Sequence, residues 1–226
     1  MRSCLAELEG GGPVIMPVPP LLVITDRKLS PLPLPELADR LFASGVRWLS
    51  LRDKDLPDGD RLELARALLR RARPWGGRVT LHGDPALAAV AGVDGVHLPG
   101  GSDPAAARAL LGPAALIGLS GHDSDGVDLV ERVRGQVDYL TLSPIFPSAS
   151  KPGYGPCLGT SGLRRWTERG VPVVALGGVD GAQAVADCLA AGAAGVAVMG
   201  LAMRDPQALA RLLAKVVDES ARSPHS

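Results

Sequence analysis

The stretch 172–200 reads P-V-V-A-L-G-G-V-D-G-A-Q-A-V-A-D-C-L-A-A-G-A-A-G-V-A-V-M-G, and its reading decides the fold. An apolar run at 172–176 ends in Gly177-Gly178, a helix is predicted to begin near Asp180–Gln183, and a second run at 195–199 ends in Gly200. Runs this short and this continuously apolar suit strands covered on both faces, the signature of a parallel sheet flanked by helices. Upstream the same kind of run recurs at 21–25 (LLVIT), 47–52 (RWLSLR), 78–82 (RVTLH), 95–98 (GVHL), 115–120 (ALIGLS) and 138–143 (DYLTLS).

Helical patterns fill the gaps. One starts at Pro35, carries Leu37, Leu41 and Phe42 on one face and stops at Gly45. Another spans roughly 60–73, with Leu62, Ala65, Leu68 and Leu69, and ends before Pro74. The last opens with Asp205 as N-cap and Pro206 in the first helical position, then buries Leu209, Leu212, Leu213 and Val216. Eight strand-then-helix units predict an α/β fold, a single (β/α)8 TIM barrel; an open doubly wound sheet is the rival.

The 226 residues are enough for one such barrel with a sizeable core, and 46% of them are apolar. Lys plus Arg (24) balances Asp plus Glu (24), so no global field favours nucleic acid or an anionic membrane, and any basic site is local. Cys4, Cys157 and Cys188 are too widely spaced for a C-x-x-C motif, which argues against a disulfide framework and for a reducing cytoplasm. No apolar run approaches a membrane span, and Glu7 and Glu9 interrupt any signal-peptide core. Residues 1–20, with Gly10, Gly11, Gly12 and four prolines, are expected to form a poorly ordered tail. The barrel domain is then 21–220, with a short tail at 221–226; Met16 is an alternative start to Met1.

In a parallel barrel, reactive groups gather at the C-terminal ends of the strands, and a phosphate commonly sits after strands 7 and 8. Gly177, Gly178 and Gly200 stand at those two places, where a missing Cβ lets backbone N–H groups approach an anion. A Gly pair after a strand is also, more simply, a tight turn. After strand 2, Arg52 and Lys54 share a face and suit a diphosphate or carboxylate, unless they form only a solvated loop. Strand 5 ends in Ser120-Gly121-His122, and a histidine there is a candidate acid/base. His82 and His97 are weaker candidates that suit hydrogen-bonded core histidines equally well. Residues 143–154 form a long loop with hydroxyls, Lys151 and Tyr154, the composition of a lid.

Taken together, V-I-T-D-R (23–27), L-R-D-K (51–54), D-G-V-H-L (94–98), I-G-L-S-G-H (117–122), D-Y-L-T-L-S-P-I-F-P-S-A-S-K (138–151), A-L-G-G-V (175–179) and G-V-A-V-M-G (195–200) resemble the thiamine phosphate synthase/TenI family, in order and over nearly all of 21–217. The resemblance implies that Arg52, Lys54 and Lys151 hold the diphosphate of a pyrimidine substrate, and that Gly177, Gly178 and Gly200 hold the phosphate of a thiazole. A synthase joins the two rings and displaces pyrophosphate with Mg²⁺ assistance.

The departures point elsewhere in the family. Its synthases carry Asn-Asp-Arg after strand 3, with an Mg²⁺-binding Asp, where this chain has His82-Gly83-Asp84. After strand 4 they carry Gly-Gln-Glu-Asp, where this chain has Pro99-Gly100-Gly101-Ser102-Asp103, and the usual Gln of strand 2 is Ser50. Asp84 and Asp103 are each one position from the pattern, and a one-residue slip turns a side chain to another face. The strand-4 Pro without the aspartates is more similar to the TenI branch, which implies a metal-free thiazole tautomerase with His122 as acid/base and Ser120 beside the substrate. A synthase using Asp84, Asp103 and Mg²⁺ is the second reading. A non-catalytic protein binding thiamine phosphate is the third. No nucleic acid or membrane partner is expected; a homodimer is expected if a helix presents an exposed apolar face.

Overall fold

The computed structural model describes residues 20–148 and 155–222. Eight parallel strands form a closed barrel in sequence order: β1 (Leu21–Ile24), β2 (Trp48–Leu51), β3 (Arg78–His82), β4 (Gly95–Leu98), β5 (Leu116–Gly121), β6 (Tyr139–Leu142), β7 (Val173–Leu176) and β8 (Gly195–Val198). Closure is made by β1 against β8, in the register Leu21↔Val196, Leu22↔Ala197 and Val23↔Val198. The chain is therefore a (β/α)8 TIM barrel, and the doubly wound alternative is excluded because the sheet has no edge.

The helices that cover the sheet are α1 (Leu34–Ala43), α2 (Asp58–Ala72), α3 (Pro85–Ala91), α4 (Pro104–Leu111), α5 (Asp128–Val133), α6 (Gly159–Thr167) and α7 (Ala182–Ala190), followed by α8 (Gly200–Arg204) and α9 (Pro206–Arg222). Three of them start on the same device, an aspartate N-cap followed by proline. Asp84 accepts from Leu87 N at 3.0 Å, Asp103 from Ala105 N at 2.9 Å and Ala106 N at 3.3 Å, and Asp205 from Ala208 N at 2.8 Å. Each carboxylate satisfies amides that the first turn leaves open, and proline at the next position has no N–H to satisfy.

The period of two along each strand sorts the core into two layers. Outward residues such as Val23, Leu49, Leu81, Val96, Ile117, Leu140 and Val196 pack under the helices. Inward residues Leu22, Ile24, Trp48, Leu116, Tyr139, Val174 and Ala197 fill the barrel. Trp48 and Tyr139 meet edge to face at 4.8 Å between ring centroids. Gly118 is required there, since a Cβ would overlap the Tyr139 ring. Above this apolar floor the inward positions turn polar. Trp48 Nε1 donates to Thr80 Oγ1 at 3.4 Å, and Thr80 Oγ1 to Ser50 Oγ at 2.9 Å. Among the described residues no helix is long and apolar enough to cross a membrane.

Candidate active site

Above those hydroxyls, at the C-terminal ends of the strands, a cavity of about 210 Å³ opens. Arg52, Lys54, Ser120, His122 and Gly177 all line it, as do His82, His97 and Thr141. Seven of the residues singled out in the sequence therefore share one chamber. Lys151 lies outside the described residues.

A second recess of about 80 Å³ adjoins the chamber and shares Ser148, Leu176, Gly177 and Met199 with it. Gly178, Gly200 and Arg204 complete much of its lining, and Asp180 is its acidic member. Gly178 has an additional reason to be glycine. Its φ is +69°, and a Cβ there would meet Phe146 Cβ at 2.7 Å, because the loop after β6 crosses directly over it. At Gly200 a Cβ would meet the Arg204 guanidinium, with Nη2 at 2.7 Å.

The floor of the chamber is a histidine pair. His97 is held on both ring nitrogens: Nδ1 lies 3.1 Å from Tyr139 Oη, and Nε2 lies 3.0 Å from Ser120 Oγ and 3.2 Å from Thr141 Oγ1. His82 lies tilted against it, with 4.7 Å between centroids and 51° between ring planes, and its Nε2 is buried and unpartnered. Burial pushes His97 down to about 3, and burial with the neighbouring His97, Lys54, Arg52 and Arg61 holds His82 well below the usual imidazole range. Both rings are neutral at pH 7 and add no charge to the chamber floor.

The rim is cationic and braced from behind. Asp53 turns into the wall, where it accepts from Thr25 Oγ1 at 2.6 Å and from Arg27 N at 2.8 Å. Thr25 Oγ1 in turn accepts from Arg52 N at 2.9 Å, which fixes the backbone that carries Arg52. Arg27 also forks onto Asp55, at 2.6 and 2.8 Å. Desolvation, followed by the Arg52 and Arg61 charges, draws the Lys54 ammonium below its ordinary value. At the opposite side, His122 N donates to Asp125 Oδ2 at 2.7 Å, and His122 Nδ1 lies 3.6 Å from the same oxygen. That leaves Nε2 as the ring nitrogen available to a ligand.

Asp84 and Asp103 are not among the residues lining the chamber; both are occupied as helix caps. Among the described residues no group of three or more His, Cys, Asp or Glu side chains gathers to hold a metal ion. Mg²⁺ is commonly held by one or two carboxylates together with substrate phosphates, and the two candidate carboxylates here serve as helix caps outside the chamber lining. Asp125 and Arg204 join this region without belonging to any of the motifs above. The signal for each was present: three residues beyond His122, and one helical turn beyond Gly200.

Fold and chamber define a small-ligand (β/α)8 barrel with its chemistry on the C-terminal face of the sheet. A family profile described as "Thiamine monophosphate synthase" matches residues 21–201, and the chain belongs to that family. A Geobacter sulfurreducens protein, provisionally named a thiamine-phosphate synthase, is 41% identical over 189 residues, 82% of this chain and 87% of its own. The thiamine-phosphate synthase of Azorhizobium caulinodans is 35% identical over 207 residues, 89% of this chain and 96% of its own. Among solved structures, the thiamine phosphate pyrophosphorylase of Pyrococcus furiosus superposes with a TM-score of 0.74 at 27% identity, covering 88% of this chain and 95% of that one.

Proposed function

We propose that the chain is a TenI-like thiazole tautomerase, which binds a thiazole carboxylate phosphate and aromatises its ring by moving one proton. One observation carries the reading: the glycine recess opens into the chamber that His122 lines, through four shared residues. Phosphate bound by the backbone at Gly177, Gly178 and Gly200 leaves the ring in the chamber, within reach of His122 Nε2. Asp125 steadies the imidazole on its Nδ1 side and stabilises the imidazolium formed when Nε2 takes the proton. The same nitrogen returns the proton to a second carbon, so no net oxidation occurs and no co-reactant is consumed. Arg52 and Lys54 receive the carboxylate.

A second reading has its own support. The relatives' names, and the Arg52–Lys54 pair on the rim, favour a thiamine phosphate synthase that takes a pyrimidine diphosphate. Asp84 and Asp103, as helix caps, are poorly disposed to hold the Mg²⁺ that the resemblance implies. The test gives purified protein the non-aromatic thiazole phosphate alone, then both synthase substrates, each with and without chelator. Aromatisation that survives chelator and disappears in His122→Ala supports the tautomerase. Thiamine phosphate formed only with Mg²⁺ supports the synthase. Binding without turnover of either set leaves a non-catalytic binding protein.

A further inference from the structure

We infer that Arg204 is the cation of the recess, a specificity-determining residue that selects a phosphomonoester dianion; this rests on the reading of the recess as a phosphate anchor. Cα–Cβ bonds in a helix tilt toward its N-terminus, so residues four apart stack on one face. Arg204 stands four residues after Gly200 in α8 and reaches back over it. Measured from the place where a Cβ would stand on Gly200, Nη2, Cζ and Nη1 lie at 2.7, 3.2 and 3.3 Å. The guanidinium thus occupies space that any other residue at 200 would fill.

Many of the described arginines are already paired with carboxylates. Arg27, Arg40, Arg66, Arg71, Arg73, Arg108 and Arg134 each face a carboxylate within 3.3 Å. The Arg204 side chain, exposed on its outer side, lines a concave recess, and no ion pair or side-chain hydrogen bond joins it to a described residue, Asp180 in the same lining included. A planar fork of N–H donors beside glycine backbone matches tetrahedral oxyanion geometry, and a charge-assisted bidentate pair is about twice as strong as a neutral one. The Asp180 carboxylate repels an anion, which gives a compensating cation more to do.

The test is calorimetric binding of three probes to the full chain: inorganic phosphate, the thiazole phosphate and the unphosphorylated thiazole alcohol. Arg204→Ala is expected to weaken both phosphates roughly 10- to 100-fold and leave the alcohol unchanged, with Arg204→Lys in between. Gly200→Ala should weaken phosphate binding in the wild-type background, by displacing the guanidinium, and have little effect in the Arg204→Ala background. Equal phosphate affinity in wild type and Arg204→Ala, with unchanged thermal melting, overturns the assignment while leaving the anchor standing. An equal Gly200→Ala effect in both backgrounds overturns it too. Wild-type protein that binds the alcohol but neither phosphate overturns the anchor itself.

Discussion

Replacing Asp103 by alanine should cost stability and leave turnover alone. Its Oδ1 accepts from two amides at the start of α4, at 2.9 and 3.3 Å, and alanine leaves both without a protein partner. Losing an N-cap costs about 1 kcal/mol, and in a chain of this length that lowers Tm by roughly 2–4 °C. Asp84→Ala removes one bond, at 3.0 Å, and should cost a similar or slightly smaller amount. The double variant should lose about 2 kcal/mol, since the caps serve different helices. Asparagine caps as well as aspartate, so Asp103→Asn should melt with the wild type. Calorimetric melting and a turnover assay on the same preparations decide the point. If Asp103→Asn keeps its Tm but loses turnover 100-fold or more, and added Mg²⁺ restores it, the carboxylate is a metal ligand and the capping argument fails.

Three further outcomes follow from the same structure. The histidine pair makes stability pH-dependent: the unfolded chain binds a proton at His97 below about pH 6.5, and the folded chain only near 3. Stability should therefore fall by up to about 1.4 kcal/mol per pH unit for that group as pH drops through this window; urea midpoints from pH 7 to 4 should show a shallower slope in His97→Gln, and parallel slopes would refute it. Gly178→Ala puts a Cβ against Phe146 at a positive φ and should cost about 2–4 kcal/mol; Gly76→Ala, equally left-handed but in open space, should cost less, and equal losses by denaturant titration would sink the clash. Thr25→Val leaves Arg52 N without its acceptor, so stability should drop by about 1–3 kcal/mol and substrate KM should rise more than kcat falls; an unchanged KM would mean that Thr25 does not position Arg52.

The barrel was legible because its strands are buried on both faces and so stand out as short apolar runs. β3 and β4 have the bounds predicted for them, and the other strands end within a residue or two. Which face of each strand points inward was not legible: with both faces apolar, alternation is muted and only the register of the closed sheet separates Leu22 from Leu21. That is why His97, held by three hydroxyls from β5 and β6, could not be told from an ordinary core histidine. Asp84-Pro85 and Asp103-Pro104 carry the same capping signal as Asp205-Pro206, and only the resemblance to the family's metal-binding aspartates points them toward Mg²⁺. At Gly178 the loop after β6 crosses close over the backbone at a positive φ, a constraint set by a segment some thirty residues upstream. Contacts between segments far apart in sequence leave no mark in either segment.

Metal-free proton transfer by His122, as proposed, is open to NMR observation: aromatisation of the thiazole carboxylate phosphate is followed in deuterated buffer with chelator present. Wild-type protein should turn over and deliver solvent deuterium to the product carbon, while His122→Ala should bind the substrate and leave it unchanged. Thiamine phosphate formation that requires Mg²⁺, with no aromatisation in chelator, would contradict the account.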